Sequence, residues 1–236
     1  MDESYLMHYG IPNMKWGVRR FQEKGSSKRT PEGKKRYAHK VTSSSLAARL
    51  YNKASRIEPK LTKVVTEAIK STGAKMYGLK NRLKTKESLA RKIDSEAKSR
   101  GISIIDAAKS IKDSVRYTSV SDDSDFTKNY FTVKENLRNQ GYIETRCRNY
   151  FDLYRKGEAN HKQITSVYSN KAGHQFELQF QTPSSIKAKE LKTPLYEEVR
   201  QTDVTKKREQ NIIKQMKTLA KQVTNPQGVY TIKSHG

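Results

Sequence analysis

The chain has 236 residues, with 48 Lys and Arg against 24 Asp and Glu, a formal net charge of +24. Only 33% of the residues are hydrophobic, so the apolar side chains are expected to gather in one core with polar arms outside it. The single cysteine, Cys147, excludes an internal disulfide.

Residues 1–21 are irregular, because Gly10, Pro12 and Gly17 interrupt both helical and strand periods. Trp16, Tyr5, Tyr9 and Met14 are apolar anchors on this short segment, a pattern that docks into a groove on another protein or folds back on its own core. No continuous apolar stretch occupies the first 20 residues, and nothing approaches 18 apolar residues in a row. The chain therefore reads as soluble, without a conventional export signal or a membrane partner. Residues 22–42 are rich in Lys, Arg, Gly and Ser and read as a basic linker.

Helical spacing starts after Ser43-Ser44-Ser45 with Leu46, Leu50 and Ile57, and Pro59 is expected to close that helix. A second helix is expected to carry Leu61, Val64, Val65, Ala68 and Ile69. Lys84, Ser88 and Lys92 stand four residues apart and would share one face of a helix running to about Arg100, where Gly101 is a natural terminator. Ser103 caps a short helix with Ile105, Ala108 and Ile111. From Asp113 the period changes to two. Val115, Tyr117 and Ser119 then oppose Arg116, Thr118 and Val120.

Asp122, Asp123 and Asp125 read as caps of a helix that buries Phe126, Tyr130, Val133 and Leu137. Tyr142 to about Leu153 reads as strand. Residues 164–169 and 174–182 form a hairpin in which Phe176, Leu178 and Phe180 alternate strictly with Glu177, Gln179 and Gln181. Pro183 and Pro194 each start a helix, the second reaching about Val223, and 227–236 is a tail. This order predicts an α+β fold, a mixed β-sheet flanked by helices, with helical extensions at both ends.

The helix and the hairpin resemble two motifs of RelA/SpoT-type synthetases, pyrophosphokinases that make guanosine tetra- and pentaphosphate. The family's Arg-x-Lys-x-x-x-Ser-x-x-x-Lys run falls on Arg82, Lys84, Ser88 and Lys92, and its Glu-x-Gln-x-x-Thr strand on Glu177 to Thr182. An Asp leading into a strand and an Arg soon after fall on Asp113 and Arg116. The resemblance implies transfer of the β,γ-pyrophosphate of ATP to a ribose 3′-hydroxyl, with Mg2+ as cofactor. It implies that Lys84, Ser88 and Lys92 bind the ATP phosphates and that Arg82 contacts adenine or phosphate. Asp113 and Glu177 would be the metal ligands, with Glu177 also the general base. Arg116 and Gln179 complete the implied substrate site.

Each residue also has an ordinary reading: a lysine row as a wet helix face, Glu177 as a solvent-facing strand residue, Arg116 as half of an ion pair. The family's Asn-Gly-Tyr-x-Ser-x-His guanine grip corresponds to Asn160-His161-Lys162-Gln163-Ile164-Thr165, where His161 can still stack but Gly and the final His are absent. Gln181 stands where the family has Arg. The acceptor half is thus expected to differ, and a nucleotide or RNA acceptor is open. Toxin-like members of the family act on adenine nucleotides or the 3′ end of transfer RNA.

The run from His8 to Arg20, His-Tyr-Gly-Ile-Pro-Asn-Met-Lys-Trp-Gly-Val-Arg-Arg, resembles a tag on minor head proteins of tailed bacteriophages. It implies docking to phage head or portal-region proteins through residues 5–20, and residence in the virion and then the host cytoplasm. The resulting organisation is a docking tag at 1–21, a linker at 22–42, a helical extension at 43–77, a RelA/SpoT-like domain at 78–200, and a C-terminal helix and tail at 201–236. The charge also suits a non-catalytic minor phage head protein that binds DNA.

Overall fold

A computed structural model describes residues 28, 30–32, 41–199 and 204–236. The tag at 1–21, nearly all of the linker, and residues 200–203 lie outside the described residues. The chain divides between Thr42 and Ser43 into two units, and the architecture that follows is that of Ser43–Gly236.

Helix α1 (Ser43–Lys70) leads into a short strand β1 (Lys75–Met76), then α2 (Lys86–Arg100), α3 (Ile104–Ser110), β2 (Arg116–Val120) and α4 (Phe126–Asn139). Strand β3 (Ile143–Asn149), α5 (Tyr150–Arg155), β4 (Ile164–Ser169), β5 (Gln175–Gln181), α6 (Pro183–Val199) and α7 (Lys206–Lys221) complete the order. The strands form one five-stranded sheet, β1-β2-β5-β4-β3, in which β2 and β5 are parallel and the other neighbours antiparallel. This is the helix-flanked mixed sheet that the sequence predicts.

Alternation gives the sheet two different faces. Tyr117, Leu178, Phe176, Phe180, Ile164 and Tyr168 point into the main core with Leu61 and Val65 of α1 and Tyr130, Val133 and Leu137 of α4. Phe176 is central: Tyr117, Tyr142 and Tyr168 all lie within 5.8 Å of its ring centroid, in edge, tilted and stacked contacts that add to burial. The opposite face carries Arg116 and Thr118 of β2 in register with Glu177 and Gln179 of β5, and Thr165 of β4 beside Gln179. A second small core of Ala47, Leu89, Ile93, Ala107, Ala108 and Ile111 clamps α2 between α1 and α3.

Five local expectations change. Pro59 does not end a helix, and α1 continues through it. Ala47, Ala54, Leu61 and Ala68, seven residues apart, are all buried, so one apolar seam spans the proline and packing outweighs the missing N–H. Pro194 likewise lies inside α6. The strand expected to run to Leu153 stops at Asn149, whose Oδ1 accepts from the amides of Phe151 and Asp152 at 3.0 and 3.3 Å and so starts α5. Asp125 occupies the N-cap of α4 without a side-chain cap bond, and Asp123 instead accepts from the Thr224 hydroxyl. The 227–236 segment packs as part of the domain. Val229 and Ile232 are buried in the main core, and Asn149 Nδ2 donates to both of their carbonyls at 2.8 and 2.9 Å. Apolar residues of both stretches read as extensions, among them Leu61, Val65, Val223, Val229 and Ile232, thus share the core of the sheet.

Candidate active site

The polar face of the sheet meets α2 through a backbone bridge. Leu83 pairs with Val115, through Lys84 N to Ser114 O at 3.1 Å and Arg116 N to Arg82 O at 2.8 Å. Glu177 N then donates to Val115 O at 2.9 Å. These bonds set residues 82–84, 113–116 and 177 side by side. Lys84 therefore precedes the helix, contrary to the expected helical row. Thr85 is the N-cap, accepting from Ser88 N, and α2 starts at Lys86. A Thr cap stops helical backbone from extending past it. Gly101 ends the same helix at φ 62°, the left-handed conformation that glycine adopts without strain.

Lys84 and Lys92 nonetheless converge. Lys84 Nζ donates to Asp113 Oδ2 at 2.5 Å and Lys92 Nζ to Oδ1 at 2.7 Å. Burial alone would raise the Asp113 carboxyl, but the two ammonium groups outweigh it and hold it down to about 2. Burial pushes the Lys84 ammonium down and Asp113 opposes this, while Lys92 and Arg116 add to the lowering. Asp113 is thus an ionised, buried carboxylate gripped by two cations.

Around this triad runs a groove of about 1030 Å³ whose walls include Lys84, Ser88, Lys92, Asp113, Arg116, Glu177 and Gln179. Seven of the residues expected at a site are gathered there. Two lie elsewhere: His161 lines a neighbouring cavity, and Arg82 is turned away. Its Nε and Nη2 engage Glu58 of α1, the second at 3.3 Å, and its Nη1 donates to Leu79 O at 2.9 Å. Glu58 is buried and also accepts from the Thr62 hydroxyl. All three guanidinium nitrogens are thus committed away from the groove.

Glu177 is buried and accepts from Gln179 Nε2 at 2.9 Å. Gln179 Oε1 in turn accepts from Lys189 Nζ of α6 at 3.0 Å and Gln181 Nε2 at 3.2 Å. The amide orientation of Gln179 is therefore fixed from both ends. Gln181 completes this ladder of side chains.

A second cavity of about 340 Å³ shares Arg116, Gln163, Gln179 and Tyr196 with the groove and adds His161, Lys162, Lys189 and Lys192. His161 lies here, its ring tilted 35° against Tyr150 with centroids 4.1 Å apart. Tyr150 itself lines the groove, so the ring pair stands where the two cavities meet. Burial first, then Lys192 and Lys189, lower the imidazole to about 4, and it is neutral at ordinary pH. Lys189 is brought to about 8 by burial and Arg116, with Glu177 acting oppositely, and Lys192 to about 8 by burial and Lys162. Lys192 donates to Asn160 O at 2.7 Å and Lys162 to Val223 O at 2.7 Å.

Tyr150, Lys189 and Lys192 line these cavities, a placement that the sequence alone does not reveal and at which only the three-residue spacing of the two lysines on one helix hints. Tyr196 is 52% exposed and lines both cavities. Arg146 and Arg148 of β3 are in neither wall, and Arg148 donates to Gly236 O. Cys147 is fully buried, near the Tyr130 hydroxyl at 3.5 Å.

Mg2+ commonly takes one or two carboxylates together with phosphate oxygens. Asp113 and Glu177 are two buried carboxylates in the wall of one groove that also carries cations, amides and hydroxyls, a donor set that fits such an ion. Among the described residues, no helix is long and apolar enough to cross a membrane.

Residues 1–23 match the model of a family of unknown function, DUF7211. Among curated protein sequences, none matches this chain. Solved structures similar to it include small alarmone synthetase 1 from Bacillus subtilis bound to pppGpp, at 14% identity and a TM-score of 0.46, over 72% of this chain and 88% of that one. A GTP pyrophosphokinase family protein from Streptococcus pneumoniae is 16% identical with a TM-score of 0.47, over 73% and 82%. The Type VI effector Tas1, in complex with its immunity protein, is 18% identical with a TM-score of 0.46, over 73% and 93%. At such identities, chemistry has to be read from the groove itself.

Proposed function

We propose that the chain is an ATP-dependent pyrophosphokinase that transfers pyrophosphate to a ribose 3′-hydroxyl of a nucleotide or RNA acceptor. The observation that carries this reading is the convergence of Lys84 and Lys92 on Asp113 in the groove that Arg116, Glu177 and Gln179 also line. Phosphoryl-type transfer needs positioning and charge neutralisation more than covalent help from the protein. Two ammonium groups turned toward one carboxylate are already arranged for a second anion. An ATP triphosphate would take over Lys84 and Lys92, with Ser88 and the N-terminal turn of α2 beside it. Mg2+ held by Asp113 and Glu177 would neutralise phosphate charge there.

The reaction joins the acceptor 3′-oxygen to the β-phosphorus and breaks the bond from that phosphorus to the α,β-bridging oxygen, so AMP leaves. The hydroxyl proton goes to Glu177, which the Lys189–Gln179 contact helps to hold in place. The acceptor lies across the smaller cavity, its base against the neutral His161 ring and its phosphates near Lys189 and Lys192. Residues 1–21 would serve as the docking address in the same proposal.

The test is transfer of label from γ-labelled ATP, with Mg2+, to GDP, GTP, ADP, AMP or bulk transfer RNA. Wild type is expected to label at least one acceptor, and Asp113→Ala and Glu177→Ala to label none. The second reading, a non-catalytic DNA-binding phage head protein, is favoured by the +24 charge. It wins if folded wild type labels nothing and binds duplex DNA.

A further inference from the structure

The outer side of α1 carries a second feature unrelated to transfer chemistry. Arg49, Lys53, Arg56, Lys60 and Lys63 follow one another at intervals of four and three residues, and all five are exposed. On a helix this spacing draws one straight ridge, here about 21 Å long from Arg49 to Lys63 at 1.5 Å per residue. The opposite side is the apolar seam of Ala47, Ala54, Leu61 and Ala68, packed against the rest of the domain. The ridge therefore cannot turn inward.

Among the described residues no carboxylate is paired with it. Glu58, in the middle of the same sequence, is buried and bound to Arg82. Glu67 stands one turn beyond Lys63, with Lys70 following. Among the described residues none of the five cations has an ion pair, in contrast to Lys84, Lys92, Lys134 and Arg208 elsewhere. Five like charges in a row repel one another, so their alignment weakens the free helix and favours a polyanion as partner.

We infer that the α1 ridge is a binding surface for the phosphate backbone of a nucleic-acid duplex. A membrane-lying helix needs an apolar face to insert, and that of α1 is already used in the core. A protein partner would need aromatic or aliphatic anchors among the charges; the exposed residues between them are Asn52 and Pro59. Single strands are bound on exposed aromatic rings. The one aromatic residue of α1, Tyr51, is only partly exposed and lies under Lys86. A rigid row of cations without stacking groups matches the rigid backbone of a duplex, read without sequence preference. The aromatic face of the sheet lies under α1 and the groove is on the other face, so this surface is independent of the proposed transfer site.

The test uses fluorescence anisotropy with the full chain and a labelled duplex DNA of about 30 base pairs, titrated between about 50 and 200 mM salt. One variant replaces Arg49, Lys53, Arg56, Lys60 and Lys63 by Gln. A control removes the same charge from another exposed helix, with Lys206, Lys207, Lys214, Lys217 and Lys221 replaced by Gln. The ridge variant is expected to lose at least about a hundredfold in affinity and about 4 in the log–log salt slope, at roughly 0.9 per phosphate contact. The control is expected to lose less than about tenfold.

Equal losses in the two variants would overturn the proposal, leaving only diffuse attraction by net charge. So would tighter binding of the matching single strand, or phosphatidylserine vesicles bound as tightly as duplex and released by the same substitutions. Thermal melts show whether both variants fold. If the five-site variant does not, Arg56→Glu with Lys60→Glu, measured against Lys214→Glu with Lys217→Glu, makes the same comparison.

Discussion

Asp113 keeps a negative charge at a buried position because Lys84 and Lys92 hold both of its oxygens. Its folded value of about 2 lies below the ordinary aspartate value near 4. The ion pair therefore contributes stability that is present above about pH 4 and lost as pH falls toward 2, in full about 2 kcal/mol. Urea unfolding is expected to show wild type losing most of this increment between pH 5 and 2.5, whereas Asp113→Asn, which lacks the charge, shows a flatter profile. Parallel profiles would mean that the lysines do not hold the carboxylate in solution.

At Arg82 the expected role changes with the geometry. Arg82→Ala would leave Glu58 buried without its cation, which costs about 1–3 kcal/mol. Chemical denaturation is expected to report that loss, while the KM for ATP stays within about twofold of wild type. A tenfold rise in KM at unchanged stability would restore Arg82 as a nucleotide contact.

Among the elements, the hairpin from Ile164 to Gln181 is legible in sequence because strict alternation and the Asn170–Gly173 turn agree. That alternation also assigns Glu177 and Gln179 to one face, opposite the core. The placement of Lys84 is not legible, because a basic residue two positions before a helix has the same spacing as one inside it, and only the Thr85 cap separates them. Tyr150, Lys189 and Lys192 are hidden for another reason: α5 and α6 are brought to the site by packing between distant segments, which no local period encodes. Asn149 is a comparable case. It joins β3, α5 and the C-terminal segment through side-chain bonds to Phe151, Asp152, Val229 and Ile232. Asn149→Ala is expected to cost about 2–4 kcal/mol by denaturant unfolding and to expose the 227–236 amides to hydrogen exchange. Unchanged protection of those amides would show that hydrophobic burial of Val229 and Ile232 alone holds the segment.

For the whole molecule, the low hydrophobic fraction and the charge have separate structural expressions. Apolar residues are concentrated between the aromatic face of the sheet and α1 and α4. The other face is left for buried carboxylates, amides and the lysines of α6, and the outer side of α1 for unpaired cations. A fold in these layers was readable from the order of periods in the sequence. The meeting of the two cavities at the Tyr150–His161 ring pair was not.

The central claim is the reaction class, and the adenine product of ATP reports it most directly. With Mg2+, ATP and an acceptor that takes label, a pyrophosphokinase must release AMP in equal amount to the pyrophosphate transferred, and Glu177→Ala must release none. Release of ADP, or AMP formed at the same rate in wild type and Glu177→Ala, would contradict the account.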